Sequence, residues 1–167
     1  RLKAGDVILV SRMEHHANLV PWQLVAERTG ARIEVAEIKP DGSLDLDALR
    51  SAMTAKVKLL ALTHTSNVLG TVNPVREVCH EARRRGIVTV IDGSQAVPHR
   101  AVDIAAIGCD FYAFTGHKMC GPTGTGAISA RHGLMAQMTP VIGGGEKIKE
   151  VSIAVTVFND STNRYEA

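Results

Sequence analysis

Lys118 lies in a segment whose residue types suit covalent chemistry. It follows an apolar run at 111–114, and Gly116, Gly121 and Gly124 surround it. A lysine acts as a nucleophile only after it loses its proton, which burial and neighbouring cations favour. Glycines let the backbone approach a bulky ligand closely. The segment therefore predicts either an amine that binds a ligand covalently or an ordinary surface lysine, and by itself it does not decide between them.

Asp92 is the second residue with a chemical signature. It directly follows the β-branched, apolar run 87–91, so it stands at the mouth of a buried strand, where an unpaired carboxylate is costly. The protonated ring nitrogen of pyridoxal 5'-phosphate (PLP) would be a suitable partner, because an aspartate there keeps the ring an electron sink. The alternative is a cap of a helix starting near Gly93 and Ser94, which Asp92 taken alone favours. Gln95 could face the same place.

The rest of the chain alternates strand-like and helix-like segments. Short apolar or alternating runs predict strands at 7–10, 33–38, 57–63, 87–91, 111–114 and 127–130. The segments between them predict helices at 19–28, 45–53 and 74–85, the first with Asn18 as its N-cap and Gly30 at its end. This alternation predicts a single α/β domain with a mostly parallel sheet and flanking helices.

Polar side chains follow several of the predicted strands. His15 comes soon after the first strand, Asn67 after the third, Asp92 after the fourth, and the segment 115–118 after the fifth. Because parallel sheets bind ligands at the carboxyl ends of their strands, we expect these residues to converge on one rim.

Four ordered blocks of sequence resemble a known family. They are 14–18 (EHHAN), 66–70 (SNVLG), 92–96 (DGSQA) and 115–122 (TGHKMCGP), with further matches at 20–23 and 143–145. In order and spacing they resemble the signature blocks of class V aminotransferase-fold enzymes, and most of all the SufS/CsdA-like group II cysteine desulfurases, which also act as selenocysteine lyases. The resemblance implies the large domain of PLP-dependent fold type I (aspartate aminotransferase-like) and PLP as the cofactor.

The resemblance also implies a role for each matching residue near the cofactor ring. Lys118 matches the lysine that binds the cofactor covalently and later shuttles a proton. Asp92 matches the partner of the pyridine nitrogen, and Gln95 the group that hydrogen-bonds the ring hydroxyl. His15 matches the histidine that stacks on the ring and is a candidate acid–base group, while Asn67 matches a residue near the ring and the substrate carboxylate.

Two further matches concern the cofactor phosphate. Thr115 and His117 match phosphate contacts, and the hydroxyl of Thr115 can replace the serine that is also common there.

The implied reaction converts L-cysteine to L-alanine and passes sulfur to an enzyme cysteine as a persulfide, for iron–sulfur cluster assembly or sulfur trafficking. The resemblance implies a homodimer and a sulfur-acceptor protein as partners. The persulfide cysteine and a carboxylate-binding arginine would lie beyond Ala167, and a phosphate-binding segment before Arg1. We therefore expect residues 1–167 to be part of a PLP-binding large domain, without the N-terminal segment and C-terminal small domain, and not competent alone in sulfur transfer.

Two alternatives remain open at this point. One is another class V enzyme, a kynureninase-like lyase or an aminotransferase, against which the block 14–18 favours the desulfurase. The other is a truncated, non-catalytic product that binds PLP weakly or not at all.

Composition excludes several classes of protein. Apolar residues make up 45% and charged residues 22% of the 167, typical of a globular domain, and no apolar run is long enough to span a bilayer. The net charge of +2 and the basic run 83–85 indicate a solvated helix end rather than a nucleic-acid site. Cys79, Cys109 and Cys120 are an odd number and widely spaced, which argues against a disulfide scaffold and suits a reducing cytoplasm. We expect Cys79 and Cys109 to be packing residues, and Cys120 does not match the sulfur-accepting position of the family that the chain resembles.

Two other ligand classes find little support in the sequence. The adjacent pair His15 and His16 and the scattered remaining histidines lack the spacing of a zinc site, so we expect no metal. The glycine-rich run 121–126 lacks both GxGxxG and the Gly-Lys-Ser/Thr ending of a phosphate-binding loop.

Overall fold

The computed structural model describes residues 1–140, 143, 147–159 and 162–165. The chain forms two compact units, Arg1–Ser129 and Ala130–Ala167. The first unit carries all of the sequence-predicted site residues. Of the block 143–145, Gly144 and Gly145 lie outside the described residues.

The first unit is built on a six-stranded sheet. Its strands are β1 (Val7–Ser11), β2 (Arg32–Ala36), β3 (Val57–Thr63), β4 (Val88–Asp92), β5 (Phe111–Thr115) and β6 (Gly126–Ala130), in the spatial order β2-β1-β3-β4-β5-β6. The pairs β1–β2, β1–β3, β3–β4 and β4–β5 are parallel, which confirms the predicted mostly parallel α/β fold. The strand order reverses direction at β1, so the crevice beyond the ends of β1 and β3 is a topological switch point.

Four helices accompany this sheet. They are α1 (Val20–Thr29), α2 (Leu46–Ala52), α3 (Val75–Arg84) and the short α4 (Ile104–Ile107), and 3₁₀ turns form at His16–Asn18 and His117–Met119. The first three match the predicted helices within one or two residues at each end. No sequence pattern predicts α4, because it is a single turn and too short to show a helical period.

The ends of the helices follow from local chemistry. Gly30 ends α1 in the left-handed conformation with φ 73°, as predicted, and Asp45 caps α2 by accepting hydrogen bonds from two backbone N–H groups. The prediction for Asn18 is wrong: Leu19 is the N-cap of α1, and the Asn18 side chain instead bonds to Glu14 and Trp22.

Apolar packing on both faces of the sheet fixes the strand ends in space. On one face, Leu60 and Leu62 pack in a cluster that includes Leu49 of α2 and Val78 of α3. On the other face, Ile8 and its neighbours pack against one side of α1. Each fully buried leucine contributes about 1.5–3 kcal/mol, so this packing stabilises the strands that end at the rim.

The second unit contains α5 (His132–Met135) and an antiparallel pair, β7 (Ile148–Val151) and β8 (Thr156–Phe158). A 3₁₀ turn at Thr162–Tyr165 follows, and the Arg164 side chain donates to the Met135 carbonyl at 2.9 Å. In neither unit does a described helix have the length and apolar character needed to cross a bilayer.

Candidate active site at the carboxyl ends of the strands

The strand register places Asp92 in the middle of the rim. Asp92 is the last residue of β4 and lies opposite Thr63 of β3 and Ala113 of β5. Its Oδ1 accepts a hydrogen bond from the Ser94 N–H at 2.9 Å, while Oδ2 has no hydrogen-bond partner among the residues that the structure describes. Residues 93–100 form turns and not a helix, so there is no helix for Asp92 to cap.

The loop that carries Lys118 follows directly from β5. Its fold depends on glycine, because a Cβ on Gly116 would lie 2.3 Å from the Thr125 Oγ1, and one on Gly121 would lie 2.9 Å from a backbone oxygen. The Gly116 N–H donates to the Thr125 carbonyl at 2.8 Å and closes the loop. Lys118 is partly buried, and its amine forms no hydrogen bond or ion pair within the described part of the chain. The amine is therefore available to a ligand.

Thr115 and His117 form a polar pair beside Lys118. The Thr115 Oγ1 lies 2.7 Å from the His117 Nδ1. Thr115 ends β5 and His117 begins the 3₁₀ turn, so both stand on the same strand-to-turn junction as the lysine. Hydroxyl and imidazole groups are suitable hydrogen-bond donors to an anion such as a phosphate.

Two cavities connect the remaining predicted residues. One, of about 380 Å³, is lined by residues that include His15 and Asn67. The other, of about 630 Å³, is lined by residues that include Asn67, Gln95 and Arg100. The structure thus brings Asn67 together with His15 on one side and Gln95 on the other. No hydrogen bond or ion pair between described residues joins Lys118 to His15, Asn67 or Gln95. Only the order of the strands in the sheet relates the Lys118 loop to them.

Sequence reasoning missed a buried polar pair next to Asp92, which consists of His64 and Tyr112. His64 donates its backbone N–H to the Asp92 carbonyl at 2.8 Å, and its Nδ1 lies 2.8 Å from the hydroxyl of fully buried Tyr112. Burial lowers the pKa of His64 and raises that of Tyr112, so both are neutral near pH 7. Gly93 is required above this pair, since a Cβ there would lie 2.0 Å from the Tyr112 ring. The only sequence signal was the glycine itself, directly after the aspartate.

Glu14 is the second residue that sequence reasoning left without a role of its own. Its carboxyl lies between the ends of β1 and β3, where it accepts hydrogen bonds from the Ser11 hydroxyl, the Thr63 N–H and the Asn18 amide. Withdrawal from water raises its pKa to about 7; these hydrogen bonds act in the opposite direction, and the charge of Asp92 adds to the increase.

Two of the three cysteines are packing residues and do not supply a nucleophile at this rim. Cys79 is buried in the core and Cys109 packs against it, as predicted, and burial raises their pKa values to about 12 and about 11. Cys120 is exposed. In the described part of the chain, no group of three or more His, Cys, Asp or Glu side chains could hold a metal ion.

The side chains of the basic run 83–85 form hydrogen bonds and ion pairs with other residues of this chain. Arg83 donates to the Gly108 carbonyl at 2.8 Å, and both Arg84 and Arg85 pair with Glu81 on the same helix. These cations therefore stabilise the end of α3, as the sequence indicates.

Comparisons with known proteins agree with this geometry. The sequence model of the family described as aminotransferase class-V matches residues 1–167. The chain is 68% identical over 167 residues to a probable cysteine desulfurase of Xylella fastidiosa (strain 9a5c), covering 100% of this chain and 40% of that protein. The chain thus spans about 40% of the length of the curated relatives it matches.

Solved structures give the same result for the fold. The crystal structure of the cysteine desulfurase CsdA from Escherichia coli superposes with a TM-score of 0.96 at 38% identity, covering 100% of this chain and 42% of that chain. The apo cysteine desulfurase from Thermococcus onnurineus NA1 gives 0.93 at 35% identity, covering 99% and 42%. These likenesses confirm the predicted fold, the large domain of fold type I.

Proposed function

The chain belongs to the aminotransferase class-V family, and on this premise we propose that it is the cofactor-binding part of a PLP-dependent cysteine desulfurase. The whole enzyme would convert L-cysteine to L-alanine and pass the sulfur to one of its own cysteines as a persulfide. The observation that carries the proposal is the position of Asp92 at the end of β4, one strand away from the Lys118 loop that follows β5. The names of the relatives, cysteine desulfurases at 47–68% identity, support the choice of substrate.

The residues at the rim fit PLP by their chemistry. The Asp92 Oδ2 is without a partner in the described structure and suits a protonated ring nitrogen. Among the described residues Lys118 offers an amine without a competing ion pair, and the loop around it closes on Gly116 and Gly121, where a Cβ would collide with neighbouring atoms. The Thr115 hydroxyl, 2.7 Å from the neighbouring imidazole, belongs to a polar pair suited to a phosphate.

PLP, when bound, supplies an electron sink that stabilises negative charge at the substrate α-carbon. The residues of this chain then have separate tasks. Lys118 would hold the cofactor covalently, and its Nζ would move a proton to or from the substrate. Asp92 keeps the ring nitrogen protonated, because the neighbouring carboxylate favours the charged form of that nitrogen.

The polar groups around the ring orient it and the substrate. Gln95 would hydrogen-bond the ring hydroxyl, and Asn67 would lie near the ring and the substrate carboxylate. His15 would pack against the ring and serve as an acid–base group. Thr115 and His117 would hold the phosphate. The shared cavities of Asn67 with His15 and with Gln95 support this grouping.

Sulfur acceptance requires groups beyond this chain. Cys79 and Cys109 are held protonated by burial and sit in the core, and Cys120 does not match the sulfur-accepting position of the family. We therefore place the persulfide cysteine outside residues 1–167, together with the C-terminal small domain. The whole enzyme would be a cytoplasmic homodimer that delivers sulfur to an acceptor protein for iron–sulfur cluster assembly, and selenocysteine is a second candidate substrate.

The decisive experiment is an absorbance titration of the chain with PLP. We expect a band near ~420 nm that Lys118→Ala abolishes and that Lys56→Ala, a change at an exposed lysine, leaves in place. If the chain gives no band, the same titration is repeated on a protein extended at both ends. Absence of the band from the extended protein would refute the assignment of cofactor and lysine.

A second measurement separates cofactor binding from sulfur transfer. With L-cysteine as substrate, the chain loaded with PLP should release alanine no faster than the Lys118→Ala variant, since the sulfur-accepting cysteine is elsewhere. Release well above that background would show that a cysteine within residues 1–167 accepts the sulfur, and this part of the proposal would be wrong.

A further inference from the structure

The Glu14 carboxyl occupies the switch point between β1 and β3. It follows β1 by three residues, and its Oε1 accepts a hydrogen bond from the Thr63 backbone N–H at the end of β3, at 3.0 Å. The same oxygen accepts from the hydroxyl of Ser11, the last residue of β1. Thr63 lies 49 positions further along the chain, so this one carboxyl connects the ends of two adjacent central strands.

The second carboxyl oxygen extends the connection to α1. The Glu14 Oε2 accepts from the Asn18 Nδ2 at 2.7 Å, and the Asn18 Oδ1 accepts from the Trp22 Nε1 at 3.2 Å. Asn18 is buried at 6% exposure. Because buried amides need partners, Asn18 depends on Glu14 on one side and on Trp22 on the other.

His15 stands on the loop that these bonds hold. It is the residue next to Glu14, and it lies in the short segment between β1 and the 3₁₀ turn His16–Asn18. Its Nδ1 accepts the Ala17 N–H at 3.1 Å, which orients the ring within the loop. That local bond cannot place the loop itself relative to the sheet; the bonds of Glu14 do.

We propose that Glu14 is a positioning residue for His15, and that it acts by joining the loop, the end of β3 and α1 through hydrogen bonds to both of its carboxyl oxygens. The inference rests on the proposed function, because that function gives His15 its place over the cofactor. Glu14 touches neither cofactor nor substrate in this scheme. It sets the height and direction from which the imidazole of His15 approaches the rim.

The electrostatic surroundings of Glu14 support a structural use of this carboxyl. Among the described residues, the charged group that acts on it is the Asp92 carboxylate of β4; its partners from β1, β3 and the 3₁₀ turn are neutral. Burial and Asp92 together raise its pKa to about 7. A glutamate on the surface would have neither the burial nor the nearby Asp92 carboxylate that raise the pKa of Glu14.

The test uses Trp22, which is the single tryptophan of the chain. In Glu14→Gln, one side-chain oxygen still accepts from Thr63, but an NH₂ group now faces the Asn18 amide, so two donors oppose each other. Asn18 must turn or withdraw, and Trp22 loses its acceptor. We expect a changed emission spectrum of Trp22 and shifted NMR signals of the His15 imidazole in the PLP-free protein, and about tenfold weaker PLP binding.

A double variant separates positioning from mere damage to the fold. Glu14→Gln combined with Asn18→Asp restores the hydrogen bond between positions 14 and 18 with reversed polarity: the new amide donates to the new carboxylate, which still accepts from Trp22. We expect the emission of Trp22, the His15 signals and PLP affinity to return towards those of the wild type. Glu27→Gln, an exposed change on the same helix as Trp22, serves as the matched control and should alter none of the three.

The possible results either support the inference or overturn it. Wild-type His15 signals in a folded Glu14→Gln variant would overturn the inference, as would a double variant as disturbed as the single one. These two readouts need no cofactor, so they judge Glu14 separately from the proposed function. If the wild-type protein extended at both ends gives no PLP band, the proposed function fails, whatever Trp22 and His15 report.

Discussion

Replacement of Glu14 by glutamine should change how the stability of the PLP-free chain depends on pH. The pKa of this carboxyl is about 7 in the folded chain, because burial raises it from an ordinary value of 4.5. Between these two values the folded chain holds a proton that the unfolded chain has released. The free energy of unfolding therefore falls as pH rises through this window, since the unfolded state binds fewer protons.

The size of the effect follows from the width of the window. About 2.5 pH units separate the two pKa values of Glu14, and one unit corresponds to about 1.36 kcal/mol. The stabilisation associated with the neutral carboxyl is thus about 3 kcal/mol; it is fully present below the unfolded pKa and is lost by about pH 8. Glutamine cannot titrate, so the variant lacks this contribution to the pH dependence.

The assay is equilibrium urea unfolding followed by far-ultraviolet circular dichroism. We expect the difference in unfolding free energy, wild type minus Glu14→Gln, to decrease by about 3 kcal/mol between about pH 4.5 and pH 8. The other titrating groups are shared by the two proteins, and the interaction of Glu14 with Asp92 is part of the measured difference. Glu27→Gln, at an exposed position of α1, is the matched control. A constant difference for Glu14→Gln would refute the reasoning, and an increase with pH would mean that the hydrogen bonds to the carboxylate outweigh its burial.

Three further predictions concern residues around the site and in the core: two test packing and one tests the reactivity of the cysteines. Gly93→Ala should destabilise the chain by about 1–3 kcal/mol in urea unfolding and weaken PLP binding, because the new Cβ would lie 2.0 Å from the buried Tyr112 ring and the displacement would reach the adjacent aspartate. Leu60→Ala should cost about 2–5 kcal/mol in the same assay, since Leu60 is fully buried at the centre of the sheet. Exposed Cys120 should react with iodoacetamide at pH 7.5 well before Cys79, whose pKa burial raises to about 12; mass spectrometry of the digested chain would reveal the order.

Much of the fold could be predicted from the sequence because the signals are local. The apolar run of β3 and the glycine after α1 mark their boundaries directly, and the observed strand Val57–Thr63 has the predicted limits. The prediction of Asn18 as a cap was wrong even though its partners are also local. A residue that caps a helix and a residue that bonds to neighbouring side chains look the same in sequence, and here Glu14 and Trp22, each four positions away, bind the Asn18 amide.

The candidate site was predictable only in part. Strand order alone indicates that His15, Asn67 and Asp92 belong to one rim. The structure adds that His15 and Asn67 line the same cavity. The individual roles of these residues stay predictions. The pair of His64 and Tyr112 could not be foreseen, because the two are 48 positions apart and meet only once β3, β4 and β5 are side by side.

The residues that sequence reasoning missed share a physical character. Glu14 and His64 are polar groups withdrawn from water below the rim, and a polar residue in a loop reads as exposed until its partners are known. Each is satisfied by a long-range bond, from Thr63 to Glu14 and between His64 and Tyr112. Because an unsatisfied buried polar group costs about 1–3 kcal/mol, these groups accept only one arrangement of the strands around them. The candidate site residues at the rim therefore stand next to polar residues that bond to each other, and these bonds tie the ends of the central strands together.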